Sequence, residues 1–278
     1  MAVAALPLQM NKQVEVDLIE GAELQKRPES QHKPILYTHM LCPYAQRSLL
    51  TLLHQRVPFQ AVQIDLSHKS KWFTQLCRDE GLPSTVPVID FEGLAQTDSN
   101  AICRWVSETF ANPDHPDLMY NTAKDKQQVN KLIQNCSKFA SAGLDLLAGR
   151  TGRSWGIGTG QSTAQWEAFE QQLQRFQASV DQSGGPFLMG STVSLADLIY
   201  MPFMERFAIA MPAFTPHDPC DACDGRIGEW LAAMRQLECC RLAAPDQKLF
   251  LQALNQERSL DFFDFTTYTA HQLHPHLQ

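Results

Sequence analysis

The sequence has no apolar run approaching the roughly 18 consecutive residues that a membrane-crossing helix needs, and a stretch such as LIYMPFM at residues 198–204 is too short. Stable membrane insertion is therefore not expected. Positive charge is also scarce. The 23 Lys and Arg against 30 Asp and Glu leave a net charge of -7, whereas a nucleic-acid groove needs a basic face. Small molecules or proteins are the partners to expect. The first residues lack the basic segment of a secretory signal, and Glu15, Asp17, Glu20 and Glu23 suit a transit peptide poorly. The expected compartment is intracellular and reducing, with the cytoplasm first and a plastid as the alternative. There the eight cysteines should be mostly free thiols, so each needs a packing or chemical reason of its own. There is no internal repeat.

What is present is an ordinary globular composition, 44% hydrophobic and 19% charged, on a chain of 278 residues, long enough for two domains. A polar N-terminal extension, residues 1–33, precedes ILYT at 35–38, a short buried strand, and Pro43 then opens a helix with Ala45, Leu49, Leu52 and Leu53 on its apolar face. FQAVQIDL at 59–66 is a half-buried strand, and VPVIDFEGLAQT offers two strands around a Glu92-Gly93 turn before a helix from Asp98 to Phe110. The order is β-α-β-x-β-β-α over residues 34–111. NPDHPD at 112–117 is a turn-rich linker, and beyond it the periodicity is helical, with helices expected at 118–147, 163–182, 195–210, 225–240 and 246–257. A Gly-rich loop, 149–162, divides the first two, and residues 258–278 form a tail. Ser194 and Asp197 fit a capping box, with Val193 and Leu198 as its hydrophobic staple.

Cys42 falls at the N-cap of the first helix and Pro43 at its first position, where a missing N–H does no harm. Unpaired N–H groups and the helix dipole there favour thiolate, so the expected thiol pKa lies below about 8.5, in the range of roughly 3.5 to 7.5. Lowering the pKa gains little in attack, because nucleophilicity falls with basicity. It makes a good leaving group when a second thiol resolves a mixed disulfide. Three residues on stands Ala45, so the motif is C-P-Y-A without a neighbouring resolver. Glutathione from solution is the abundant choice.

With STVPVIDFEGLAQTDSNAI the sequence resembles the glutathione transferase superfamily, which implies a thioredoxin-like α/β domain followed by an all-helical domain. C-P-Y-A-Q-R resembles the cysteine-bearing omega and lambda classes, and residues 185–207, with their Pro-Phe-x-Glu-Arg-Phe run, are most similar to the lambda class. The resemblance implies Cys42 as nucleophile and a glutathione site comprising Pro43, Tyr44, Lys69, Thr85, Val86, Pro87, Asp98 and Ser99. Val86-Pro87 would be cis and pair its backbone with the cysteinyl part of glutathione. Asp98-Ser99 would take the γ-glutamyl end, although relatives more often carry Glu before the Ser. Lys69, with Lys71 as fallback, would meet the glycine carboxylate. Glutathione would be the co-substrate and a hydrophobic or oxidised small molecule the acceptor. Thiol transfer, deglutathionylation or dehydroascorbate reduction would be the activity, and a monomer the state. The alternatives are a non-catalytic carrier of hydrophobic or glutathionylated molecules and, less favoured, a membrane-inserting relative.

Other features tempt without fitting a site. His217, Cys220 and Cys223, with adjacent Cys239-Cys240, lack the two spaced pairs of a structural zinc centre, and no metal is expected. Cys77, Cys103 and Cys136 lie in apolar-periodic segments as core residues, and Arg47 is structural. His271, His274 and His276 form a loose terminal cluster, and Trp155, between glycines, is expected as a loop anchor, with a cover over a hydrophobic acceptor site as the alternative.

Overall fold

The computed structural model describes residues 14–29, 32–148, 163–248, 250–252, 272 and 276–277. The first half is built on strands β1 (Val16–Glu20), β2 (Ile35–Thr38), β3 (Phe59–Gln63), β4 (Val88–Phe91) and β5 (Leu94–Thr97), in the spatial order β1-β3-β2-β4-β5. β3 pairs parallel with both β1 and β2, whereas β4 is antiparallel to β2 and to β5. Helices α1 (Pro43–His54), α2 (Lys71–Asp79) and α3 (Ser99–Thr109) complete the expected order, with α2 as its unassigned element. Because successive strand residues point to opposite faces, β2 feeds two cores. Ile35 and Tyr37 meet Phe73, Leu76 and Val88 on one face, and Leu36 joins Ile89, α1 and α3 on the other.

The N-terminal extension is not merely a polar leader. Val16 and Leu18 alternate with Asp17 in β1, the edge strand in register with β3 from Val16 opposite Phe59 to Glu20 opposite Gln63. Arg27 then donates to buried Asp90 through Nε and Nη2, at 3.1 and 2.7 Å.

The second half is helical: α4 (Ala123–Ala148), α5 (Thr163–Ser183), α6 (Leu195–Phe214), α7 (Arg226–Gln236) and α8 (Glu238–Leu242). The single helix expected over 225–240 is broken at Leu237, whose ψ of 136° is extended. The helix expected from 118 starts at Ala123 after Tyr120, which holds a left-handed φ of 66°. α6 is buried on nearly every side, so it serves as the central post of this half. Its start is the expected capping box. Asp197 accepts from Ser194 N and Oγ at 2.8 and 2.7 Å, and also from Leu188 N and Trp230 Nε1 at 2.9 and 2.8 Å. One carboxylate thus fixes the α5–α6 loop and α7 to α6. The Gly-rich loop with Trp155, most of the tail and His271 and His274 lie outside the described residues. Leu277 is buried, lining a small cavity with Thr38, His39 and Gln46 of the first half.

Candidate functional site

Cys42 is the N-cap of α1, in extended conformation with φ -77° and ψ 113°, and Pro43 follows at the first helical position. Its carbonyl accepts from Gln46 N at 3.1 Å and its own N–H donates to His39 O at 2.9 Å, which closes the turn between β2 and α1. The thiol is half-buried, with Sγ 4.0 Å from Val86 O. The expected fall in its pKa does not occur. Burial pushes the Cys42 thiol up, and this outweighs the N–H groups of Ala45 and Tyr44 and the charges of Arg206 and Arg47, all of which pull it down. The helix terminus acts as anticipated, but a cationic, largely covered thiol environment also removes water from the anion, and that desolvation is the larger effect.

Helix α6 reaches the turn that carries this thiol. Arg206 is fully buried and donates through Nε to Leu41 O at 3.2 Å, through Nη2 to Met40 O at 3.3 Å and through Nη1 to Pro202 O at 2.9 Å. Nη1 also donates to Gln46 Oε1, and Gln46 Nε2 donates in turn to Glu205 Oε2 at 3.3 Å and Ala243 O at 3.2 Å. The turn carrying Cys42 therefore hangs on a guanidinium from the helical half. Burial lowers the Arg206 pKa to about 10, which keeps it charged at neutral pH. Sequence reasoning gave Arg206 no role, although it lies in the Pro-Phe-x-Glu-Arg-Phe run at 202–207 that carried the lambda-class resemblance.

Arg47 is structural as expected, but it also spans the site. Its Nη1 donates to Ser99 Oγ at 3.2 Å, its Nε to Ile199 O at 3.0 Å and its Nη2 to Cys136 Sγ at 3.3 Å. Its guanidinium carbon lies 5.1 Å from the centre of the Tyr44 ring and 4.7 Å from that of Phe203, while those two rings meet edge to face at 5.1 Å. Cys136 is thus a hydrogen-bond acceptor as well as a core residue.

The Val86-Pro87 peptide is cis, and Pro87 O accepts from Thr97 Oγ1 at 2.8 Å. Thr85 is exposed beside it, with its N–H donated to Pro83 O at 2.8 Å. Asp98 caps α3 by accepting from Ala101 N at 2.9 Å, and it does so with a left-handed φ of 72°. Ser99 is buried beneath it. The fold thus gathers Cys42, Pro43 and Tyr44 on α1, Val86 against the thiol, and Ser99 tied to α1 by Arg47. Lys69 is exposed in the loop before α2, and among the described residues no hydrogen bond joins it to the others. Lys71 is exposed at the first position of α2. No cluster of three or more metal-ligating side chains is found among the described residues, and no helix there is long and apolar enough to cross a membrane.

Comparison with known proteins places this arrangement. The family model for the glutathione S-transferase N-terminal domain matches residues 41–109, the segment from the Cys42 turn through α3. Glutathione S-transferase omega-1 of Mus musculus is 24% identical over 82% of this chain and 86% of its own length. The chloroplastic glutathione S-transferase DHAR3 of Arabidopsis thaliana is 28% identical over 61% of this chain, which spans 56% of that relative. Glutathione transferase Omega 3C from Trametes versicolor superposes with a TM-score of 0.62 at 21% identity, covering 77% of this chain and 88% of that one, and so shows the shared fold. Residues 41–109 thus match the glutathione S-transferase N-terminal domain from the candidate thiol onward, and the helical half that follows completes a fold shared with solved glutathione transferases.

Proposed function

We propose that this chain is a glutathione-dependent thiol transferase in which Cys42 exchanges with glutathionylated or oxidised small acceptors, dehydroascorbate among them. The carrying observation is a half-buried thiol at a helix N-terminus, with Val86 O of the cis segment 4.0 Å away. An oxygen nucleophile at that position would stabilise bound glutathione thiolate; a sulfur there exchanges. In the forward half-reaction Cys42 thiolate attacks the glutathionyl sulfur of a mixed disulfide, the S–S bond breaks and the acceptor leaves as a thiol. A second glutathione then attacks that sulfur, glutathione disulfide departs and Cys42 is restored. The net change is one disulfide for another: the acceptor sulfur is reduced to a thiol, and one free glutathione thiol joins the glutathionyl group taken from the acceptor as glutathione disulfide.

For glutathione itself we assign the Val86 backbone to the cysteinyl part and the N-terminus of α3 to the γ-glutamyl carboxylate. Asp98 uses Oδ1 as a cap, so Oδ2 is the atom offered to the γ-glutamyl amine. Lys69 is assigned to the glycine carboxylate. Pro43 fixes the helix start, Tyr44 walls the site against Phe203, and exposed Thr85 borders it. The domain division is residues 34–111 and 118–257, with β1 added to the first. Names of relatives that include omega and DHAR proteins support the reading.

The test is exchange with a small glutathione mixed disulfide. In Cys42→Ser the rate should fall to the uncatalysed background while the thermal transition is kept. Retained exchange in a folded Cys42→Ser chain refutes the assignment.

A further inference from the structure

At the far end of α1 a second pair of thiols meets a histidine. His54, the last residue of α1, sets Nδ1 3.9 Å from Cys239 Sγ, and that sulfur lies 4.0 Å from Sγ of Cys240, the next residue in α8. Both cysteines are buried. Cys240 nevertheless stands in the wall of a cavity of about 490 Å³ whose lining includes the exposed side chains of Arg235, Arg241 and His276. On a protein of net charge -7 this is a locally cationic opening, countered by Glu205 alone among the lining acids. The proton is unevenly shared. The thiol of Cys240 and the ring of His54 both face Cys239, so its pKa is lowered to about 6 while that of Cys240 is pushed up.

We propose that Cys239 and Cys240 are a reversible redox-modification site, which an anionic low-molecular-weight disulfide entering this cavity converts to an intrachain disulfide. Cys239 is the resting thiolate; it takes the proton of Cys240, and the more basic thiolate so formed in the cavity wall attacks one sulfur of the incoming disulfide, whose S–S bond breaks and releases one thiolate. Cys239, its proton taken by His54, then attacks Cys240 Sγ and expels the second thiolate. The protein dithiol is oxidised by two electrons and the small disulfide is reduced to two thiols.

The product cannot fit α8 as it stands. Consecutive Cα atoms are about 3.8 Å apart, below the usual disulfide span of about 4.4–6.8 Å, and neighbouring side chains on a helix diverge. Closure therefore unwinds α8, and the strained ring is readily reopened by thiols. α8 adjoins Ala243, whose carbonyl accepts from Gln46, and Gln46 holds Arg206 beneath Cys42. Oxidation at one end of α1 is thereby transmitted to the turn at the other.

The site is separable from exchange at Cys42, and the experiment keeps it so. The full-length chain and its Cys42→Ser variant are incubated with oxidised glutathione, alkylated in denaturant and digested with trypsin. Cleavage after Arg235 and Arg241 places both cysteines on one peptide, QLECCR. In both folded chains this peptide should escape alkylation and lose two hydrogens. In Cys239→Ser a glutathionyl adduct should persist on Cys240, and in Cys240→Ser the adduct on Cys239 should be largely lost. The proposal is overturned if QLECCR remains alkylated at both cysteines, if it carries only glutathionyl adducts, or if the ring closes only in denaturant.

Discussion

Arg206 offers the sharpest test of how the two halves share one thiol. Arg206→Met keeps an apolar stem of similar length but removes the charge and the donors to Met40 O, Leu41 O, Pro202 O and Gln46 Oε1. Arg206 is among the influences that pull the Cys42 thiol down against burial, so its loss must push that pKa further up. For each unit of rise, about 1.4 kcal/mol, thiolate at neutral pH drops about tenfold. A more basic thiolate is a better nucleophile and recovers about threefold of that, so attack slows by about threefold per unit and the midpoint of the pH–rate profile moves alkaline. Arg206→Lys retains the charge but loses the fork, so it should lower stability with little movement of the midpoint. Thiolate absorbance against pH and exchange rate against pH are the two measurements. A folded Arg206→Met chain with an unmoved midpoint would show that the guanidinium supports the turn mechanically and has no electrostatic hold on Cys42.

Other consequences concern stability. His39 is buried with its Nδ1 accepting from Leu41 N at 3.2 Å, and burial lowers its pKa from 6.5 to about 4. Between those values the unfolded chain binds a proton that the folded chain refuses, so stability falls with pH from about 6.5 toward 4, by about 2 kcal/mol between pH 7.5 and 5. Denaturant titration of His39→Asn should show a flatter acid limb; an identical slope would assign it to other groups. Asp197→Ala strands the N–H groups of Leu188, Ser194 and Trp230 in the interior and should cost about 3–5 kcal/mol in the same assay. A loss below about 1 kcal/mol would mean that the network rearranges around water.

What could be seen in the sequence was what depends on near neighbours. Pro43 after Cys42 marks a helix start by its own covalent geometry, and Ser194 with Asp197 marks another by a hydrogen-bonding pattern that spans three residues. β1 was hidden because an edge strand has one neighbour and need show only a weak alternation, here set among acidic residues. The sign of the Cys42 shift was out of reach for a different reason. The helix N-terminus is local, whereas the burial that outweighs it exists only in the folded chain. Arg47 could be placed on α1, but its bonds to Ser99, Cys136 and Ile199 exist only in three dimensions. Cys239 and Cys240 failed a metal-spacing test that was sound in itself, and nothing in the spacing pointed to His54.

Because Met40 and Leu41 are held by a side chain from α6, the thioredoxin-like half does not by itself fix the turn that carries Cys42. An exchange of helical domains between relatives would alter more than the acceptor: it would carry with it the voltage, so to speak, at which the thiol works. For this architecture a cut in the linker at 112–117 parts the Cys42 turn from Arg206, whereas a cut after Phe214 keeps the two together and, within that hydrogen-bond network, severs only the outer bond of Gln46 to Ala243.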